Sequence, residues 1–338
     1  MNRSKGRVFS EGEIVMSDTN TSLISDLAGL SKPMTKLIET VSSGMNIVTT
    51  PWQTKRNAQA DAEAIRVLNE SMREVDGDIT YTNANFSITV KKGSIEDTAI
   101  ARVVQEEVER QVNLSRVVEK AALLLKEKTD VSPEPVEKDW LTRFKNIAQD
   151  ISDEEMQFLW ARILDQEIEK PHSFSYRTLD FLKNVQGNEA KIIENVMKFS
   201  LQGSSEVLIF GDKEYLKTEN VCFVDALLLE ELGLAYGDLA LTMKPNLEDY
   251  YRISHSNNFI RITNLSDNEQ MIPVMKLTSL GKEVFHLISS YYSKSSIENL
   301  VKFLDLGEKV KFELIEDVKI LDNGQIQWKD DKISILVP

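Results

Sequence analysis

Three histidines are the first residues to consider for chemistry, because an imidazole can bind a metal ion or transfer protons near neutral pH. His172, His255 and His286 stand far apart in the sequence. Glu169 and Glu283 each lie three residues before one of them, but no second histidine or cysteine completes a zinc-ligand set. The sequence therefore predicts no metal site and no cofactor, and the histidines are interpreted as surface or capping residues.

The single cysteine, Cys222, lies in the run NVCFVD between apolar residues, which favours a buried and unreactive thiol. One cysteine cannot form an internal disulfide, so a reducing compartment is expected. The 14 glycines never form a phosphate-binding run, which excludes the common nucleotide-binding fingerprints. No catalytic constellation is predicted, and the chain is interpreted as a protein without enzymatic activity.

Four acidic residues close together are the other candidate for a metal site, since carboxylates bind divalent cations. They are Asp150, Asp153, Glu154 and Glu155. Ser152 precedes an apolar helical stripe and stands three residues before Glu155, which is the spacing of a capping box. The helix dipole favours acidic side chains in the first turn, so helix capping accounts for the cluster without a metal.

A set of aromatic and cationic side chains within one short helical stretch is the feature that most needs an explanation. Tryptophan and arginine together are typical of binding hot spots, because they combine a large contact area with directed hydrogen-bond donors. The alternative, which is preferred, is an internal core in which an arginine pairs with Asp139, Glu155 or Asp180. The set comprises Trp140, Arg143, Phe144, Trp160, Arg177 and Thr178.

Composition narrows the class of protein. The chain has 338 residues, 41% of them hydrophobic, and a formal net charge of -14. That charge repels phosphate backbones at long range, which disfavours nucleic acid as a partner. No run approaches the roughly 18 consecutive apolar residues of a transmembrane helix, and the first residues lack the apolar core of a secretory signal. A cytoplasmic protein is expected, with its natural start at either Met1 or Met16.

Residues 1–22 are predicted to be disordered, and an amphipathic helical region follows them. Its apolar side chains recur at steps of three and four from Leu23 to Val48, which lines one helical face. Such a face is typical of a membrane-surface helix, of an oligomerisation helix, or of a helix packed on the protein's own core. The scarcity of lysines on the polar face favours the core.

A second helix is predicted from about Pro51 to Glu74, because proline is preferred in the first turn. Lys55 and Arg56 stand near Trp52 in that turn, and this cationic and aromatic group could contact phosphate or lipid headgroups. A solvated first turn with Trp52 packed inward is the simpler interpretation.

Residues 78–93 are polar and β-prone, and they predict a loop or a short hairpin. A long helix follows over 95–128, or two helices with a joint near Asn113. Paired with the helix that begins at Pro51, it would form an antiparallel hairpin or the seam of a coiled-coil dimer. Pro133, in a charged run, marks the next domain boundary.

The remaining sequence predicts a central helical domain over 132–200, followed by a region that contains both helices and strands. Over 201–292 the order helix, β-ribbon, helix resembles a winged helix, and alternating runs over 293–338 predict a small antiparallel sheet with a turn at Asp322, Asn323 and Gly324. The predicted fold is mainly α with a smaller C-terminal α+β part. Its components are an N-terminal helical hairpin over 23–131, the central helical domain, the winged-helix-like region and the small sheet.

Several motifs resemble those of the bacterial domain of unknown function family 2806. They are the runs EPVEKDWLTRF, DISDEEMQFLWARILDQEIEKPHSFSYRTLDFLKNV and EAKIIENVMKF, with RQVNLSRVVEKA before them and LTSLGKEVF further along. The resemblance covers about residues 30–290, and His172 stands where the family is expected to have glycine. The resemblance implies no particular activity, because the family has no established one.

A remoter resemblance, of architecture alone, is to abortive-infection proteins with an N-terminal amphipathic helix and a winged-helix-like C-terminal region. It implies a role in defence against phage. The expected function is that of a non-enzymatic cytoplasmic protein that self-assembles through its N-terminal helices and binds a protein partner through its later domains. The alternatives are a DNA-binding winged-helix regulator and a membrane-active effector that uses residues 23–48.

Overall fold

The computed structural model describes residues 31–45, 77–82, 85–90, 94–253, 256–288, 292–321 and 325–336. Several predictions fall outside these residues, among them the segment 1–22, the helix from Pro51 and the turn at Asp322. The predicted site residues Trp52, Lys55 and Arg56 also lie outside, as does His255.

The helical part of the described chain begins with α1 (Lys32–Gly44) and a hairpin of β1 (Gly77–Thr82) and β2 (Asn85–Val90). The long helix α2 (Ile95–Lys126) follows without a break at Asn113. Its N-terminus is fixed by a reciprocal capping box, in which Ser94 and Asp97 satisfy each other's backbone N–H groups. The central helices are α3 (Lys138–Ala148), α4 (Glu154–Glu169), α5 (Tyr176–Asn184) and α6 (Gly187–Met197).

The C-terminal part alternates strands and short helices. Its elements are β3 (Ser200–Gln202), β4 (Val207–Phe210), α7 (Lys213–Thr218), α8 (Phe223–Glu231), β5 (Ala235–Met243), β6 (Glu248–Ile253), β7 (Phe259–Asn264), β8 (Gln270–Leu277), α9 (Ser279–Phe285), α10 (Lys294–Leu304), β9 (Val310–Ile315), β10 (Lys319–Ile320), β11 (Ile326–Gln327) and β12 (Ile333–Leu336).

Eight of these strands form one antiparallel sheet in the order β12-β9-β7-β6-β3-β4-β8-β5. The mainly α fold with a C-terminal antiparallel sheet is therefore confirmed. The tail strand β9 pairs with β7, so strands from both predicted C-terminal regions lie in a single sheet. The strands β10 and β11 form a separate short pair.

One contiguous hydrophobic core joins the helices to the sheet. It contains Leu37 and Val41 of α1, Leu114 of α2, Trp160 of α4 and Phe210 of β4. Burial of Leu37, Val41 and Met45 places the described part of the Leu23 to Val48 stripe in the protein's own core. No helix in the described ranges is long and apolar enough to cross a membrane.

The start of α4 differs from the prediction. Its cap is Asp153, whose carboxylate accepts a 2.9 Å hydrogen bond from the N–H of Met156, and not Ser152. Both residue types cap helices, and the helix begins one residue later than the capping-box spacing indicated. Glu154 and Glu155 then lie in the first turn, where the dipole favours them.

Candidate interaction surface on the central helices

An aromatic stack forms the core of the central helices. The rings of Trp140 and Phe144 lie 5.2 Å apart and nearly parallel, and Phe144 contacts Trp160 at 5.5 Å. All three side chains are buried, and so is Thr178. Four of the six residues in the predicted set are therefore interior residues, as the preferred interpretation had them.

The turn between α4 and α5 is held by this core. The indole Nε1 of Trp140 donates a 2.8 Å hydrogen bond to the carbonyl oxygen of Phe174. The carboxylate of Glu167, which is almost fully buried, accepts hydrogen bonds from the backbone N–H groups of His172 at 2.7 Å and Phe174 at 3.0 Å. Burial raises the pKa of Glu167, although these donors oppose the shift. The turn is thus fixed from inside.

A second carboxylate fixes the turn from the side of the sheet. Glu283 on α9 accepts 2.6 Å hydrogen bonds from the N–H of Ser175 and from the hydroxyl of Thr178. Ser175 in turn caps α5, because its side chain accepts the N–H of Thr178. The sequence pattern missed the roles of Glu167 and Glu283, since neither lies in a local motif that pairs it with the turn.

The turn also contains a strained residue. His172 has a φ of 67°, in the left-handed region that favours glycine. This is the position at which the family resemblance led us to expect glycine. The His172 side chain is 63% exposed, and its Nε2 lies 3.4 Å from the carboxylate of Glu134.

The outer side of the turn carries a cationic and aromatic group. The guanidinium of Arg143 lies over the ring of Tyr176 at 4.3 Å, and the hydroxyl of Tyr176 donates a 2.7 Å hydrogen bond to Glu137. That hydrogen bond raises the pKa of Tyr176. Arg143 and Arg177 are both exposed. We call Arg143, Tyr176 and Arg177 the central surface.

The pairing predicted for the two arginines is wrong. Neither Arg143 nor Arg177 forms an ion pair with Asp139, Glu155 or Asp180 in the described part of the chain. Arg143 instead packs on an aromatic face, which attracts a guanidinium through the ring quadrupole. Both guanidinium groups therefore keep hydrogen-bond donors that face solvent, and they could bind a carboxylate with two parallel hydrogen bonds.

The remaining candidates for chemistry do not converge on a site. No group of three or more histidine, cysteine or acidic side chains in the described ranges is placed to hold a metal ion. His286 caps the C-terminal end of α9. Cys222 is exposed, so the prediction of a buried thiol is wrong. The inward positions at the start of α8 are taken by Val221 and Ala226, which leaves Cys222 on the outside.

A comparison with protein-family models gives one result. The model described as "Protein of unknown function (DUF2806)" matches residues 97–301, more than half of the chain. The chain belongs to this family. The DUF2806 match begins in the first turn of α2, later than the resemblance indicated, and includes the aromatic stack, both turn-fixing carboxylates and the central surface. No curated protein and no solved structure matches the chain.

Proposed function

We propose that this DUF2806 chain is a non-enzymatic, cytoplasmic interaction protein that binds a protein partner through the central surface. The observation that carries the proposal is the rigid mounting of Arg143, Tyr176 and Arg177. The turn in front of α5 is held by Glu167, Glu283 and Trp140 from three sides. Exposed binding groups on a preorganised support lose less conformational entropy when a partner binds.

The chemistry of the central surface favours an acidic protein segment as the partner. Two guanidinium groups offer planar donors that match carboxylates, and the ring of Tyr176 adds apolar contact area. Two exposed guanidinium groups beside the half-buried ring of Tyr176 are the features of this surface that support binding.

A DNA-binding role has less support. The helices that the winged-helix pattern assigned to recognition are α8 and α9. The cation on α9, Lys282, pairs with Glu206 at 2.6 Å, and α8 carries Asp225, Glu230 and Glu231. DNA-reading helices usually present several free cations to the groove. The net charge of -14 also disfavours DNA binding, because it repels the phosphate backbone.

Self-association through the N-terminal helices and a role in phage defence stay predictions. The apolar side chains of α1 in the described ranges lie in the protein's own core, so α1 contributes little free apolar surface to a dimer. Light scattering at micromolar concentration tests self-association, and a strict monomer removes it. Plaque counts on cells with and without the gene test defence, and equal counts remove that part of the proposal.

The binding proposal is tested by affinity purification of the full chain from native cells. We expect the wild type to retain a partner and the double variant Arg143→Ala and Arg177→Ala to lose it. The control variant is Lys183→Ala, which removes another exposed cation of α5 and should retain the partner. Equal unfolding midpoints of the three proteins show that the loss is not caused by unfolding. A partner retained equally by all three contradicts the central surface as the binding site.

A further inference from the structure

The two edges of the eight-stranded sheet differ in length. The strand β12 forms one edge with four residues, and β5 forms the other with nine. An edge strand presents unpaired backbone groups, and proteins usually blunt such edges with short strands, bulges, prolines or charges. A register shift between Tyr236 and Leu239 distorts the first part of β5. From Leu239 to Met243 the strand is regular, and this stretch is an edge without such protection.

A proline on the neighbouring strand shows which backbone groups of β5 are free. Pro273 of β8 lies opposite Ala240, and its carbonyl oxygen accepts a 2.8 Å hydrogen bond from the N–H of Gly211 on the side of β4. Residues of an antiparallel pair alternate between hydrogen-bonded and non-hydrogen-bonded positions. The backbone groups of Ala240 and Thr242 therefore point away from β8. Both residues are exposed, and β8 is the only strand paired with β5 in the described ranges.

Both ends of β5 are fixed in place. Before the strand, the backbone N–H of Thr278 donates to the carbonyl oxygen of Leu234 at 2.9 Å, and the Thr278 hydroxyl donates to that of Gly233 at 2.7 Å. At the other end, the side-chain amide of Asn264 donates to the carbonyl oxygen of Met243 at 3.0 Å. The free edge is thus preorganised, which lowers the entropy lost when another strand pairs with it.

We propose that β5 of a second copy of this chain pairs antiparallel with the free edge, with a twofold axis at Ala240. In this register Ala240 lies opposite itself, and its small side chain allows close approach. Leu239 lies opposite Leu241 of the second copy, and Leu241 opposite Leu239. Leu239 is 41% exposed and Leu241 is partly exposed, so each leucine gains an apolar neighbour. A twofold contact requires a self-complementary surface of this kind.

Other twofold registers match the side chains less well. An axis at Leu239 would place Leu241 opposite Gly237, which has no side chain to pack against it. An axis at Leu241 would place Leu239 opposite Met243, whose side chain is already fully buried in the core. Pairing about Ala240 is the register in which both half-covered leucines meet a leucine.

The ends of the paired strands agree with the Ala240 axis. Lys244, an exposed residue just beyond β5, falls opposite Tyr236 of the second copy, whose ring is 57% exposed. A lysine ammonium is attracted to the face of a tyrosine ring. The inference does not rest on the central surface, because replacing Arg143 and Arg177 leaves β5 unchanged.

Disulfide trapping on the full chain tests the register. In a Cys222→Ser background, Ala240→Cys should form a disulfide-linked dimer under mild oxidation, because the two Cα atoms face each other across the axis. Thr242→Cys is the matched control, since Thr242 is also exposed on the same strand. Its two copies would lie about 14 Å apart at about 3.4 Å per residue, too far for a disulfide. Non-reducing gels and peptide mass mapping identify the products.

Light scattering at micromolar concentration tests the dimer without cysteines. We expect a dimer for the wild type and a monomer for Ala240→Pro, because proline removes an N–H that β8 does not use and blocks the free edge. Ile335→Asp is the control at the other edge, where Ile335 is 61% exposed, and this variant should stay dimeric. Circular dichroism verifies that both variants are folded.

Three results would overturn the proposal. They are a monomeric wild type, equal crosslinking of Ala240→Cys and Thr242→Cys, and a dimer that survives Ala240→Pro. The last result would assign self-association to another surface of the chain.

Discussion

The hydroxyl of Thr178 donates a 2.6 Å hydrogen bond to the carboxylate of Glu283, although 105 residues separate them in the chain. The same carboxylate oxygen accepts the N–H of Ser175, the residue that caps α5. One side chain on α9 therefore fixes the N-terminal end of α5, and with it the direction in which Tyr176 and Arg177 leave the helix. The helical half of the molecule depends on the half that contains the sheet.

Glu283→Ala should destabilise the fold by about 1–3 kcal/mol, because the change leaves the N–H of Ser175 and the hydroxyl of Thr178 without their acceptor. Thr178→Val, which removes one hydrogen bond, should cost less. Urea unfolding followed by circular dichroism measures both. Glu231→Ala, at an exposed acid on α8, is the control and should change stability by less than about 0.5 kcal/mol. If Glu283→Ala changes the free energy of unfolding no more than Glu231→Ala does, the hydrogen bonds between α9 and α5 do not stabilise the fold.

Glu167 should make stability depend on pH. Its burial raises the folded-state pKa above the unfolded value of about 4.3 for a glutamate. Below both values the group is neutral in both states. As pH rises, it ionises first in the unfolded chain, so the free energy of unfolding falls until the pH passes the folded-state pKa. The contribution of Glu167 is thus most favourable at low pH.

Glu167→Gln removes this titration and also weakens the hydrogen bonds to the turn. The variant should be less stable than the wild type at about pH 4, and the difference should shrink as pH rises towards about 7. Denaturant titrations of the two proteins across this range measure the difference. A gap that is constant or widens with pH would mean that Glu167 titrates at or below its unfolded value.

His172→Gly should stabilise the protein by up to about 1 kcal/mol. The φ of 67° strains any residue with a Cβ, and glycine relieves that strain at some cost in the entropy of the unfolded chain. The exposed imidazole loses only its weak contact with Glu134. His172→Ala keeps the Cβ and should give no gain. Thermal unfolding separates the two variants, and equal midpoints would contradict backbone strain at this position.

Periodicity and capping signals predicted α2 and the central helices well, because these elements are amphipathic and their caps lie within a few residues. The β-ribbon predicted within 201–292 corresponds to β7 and β8, so these two strands were also predicted. The short β3 and the edge strand β5 were not, since three residues carry no period and β5 contains Gly237 at a register shift. Pairing of the tail strand β9 with β7 joins distant residues, and local patterns do not encode it.

The candidate surface was predicted only in part. The sequence grouped Trp140, Arg143 and Arg177, and the structure places Arg143 over Tyr176, the chain neighbour of Arg177, while Trp140 donates to Phe174 in the turn before α5. Which of them are buried depends on the three-dimensional path of the turn, and that path depends on Glu167 and Glu283. A buried carboxylate that serves backbone N–H groups has no local sequence signature, because its acceptors and donors are matched only after folding.

The two buried tryptophans of the central core offer a matched comparison. The Nε1 of Trp140 donates to the carbonyl oxygen of Phe174 at 2.8 Å. The Nε1 of Trp160 is also buried, and it has no hydrogen-bond partner in the part of the chain that the structure describes. Replacing either residue by phenylalanine removes the same atoms, including one N–H donor, so the two variants differ mainly in the polar group that is lost.

Trp140→Phe should therefore cost about 1–2 kcal/mol more than Trp160→Phe, because only the first change leaves a buried carbonyl without its donor. The second change removes a donor that was already unsatisfied, which offsets part of the lost packing. Urea unfolding of both variants measures the difference, and near-ultraviolet circular dichroism verifies that the remaining rings stay packed. A larger cost for Trp160→Phe would contradict this expectation and would indicate that the packing lost at Trp160 outweighs the hydrogen bond lost at Trp140.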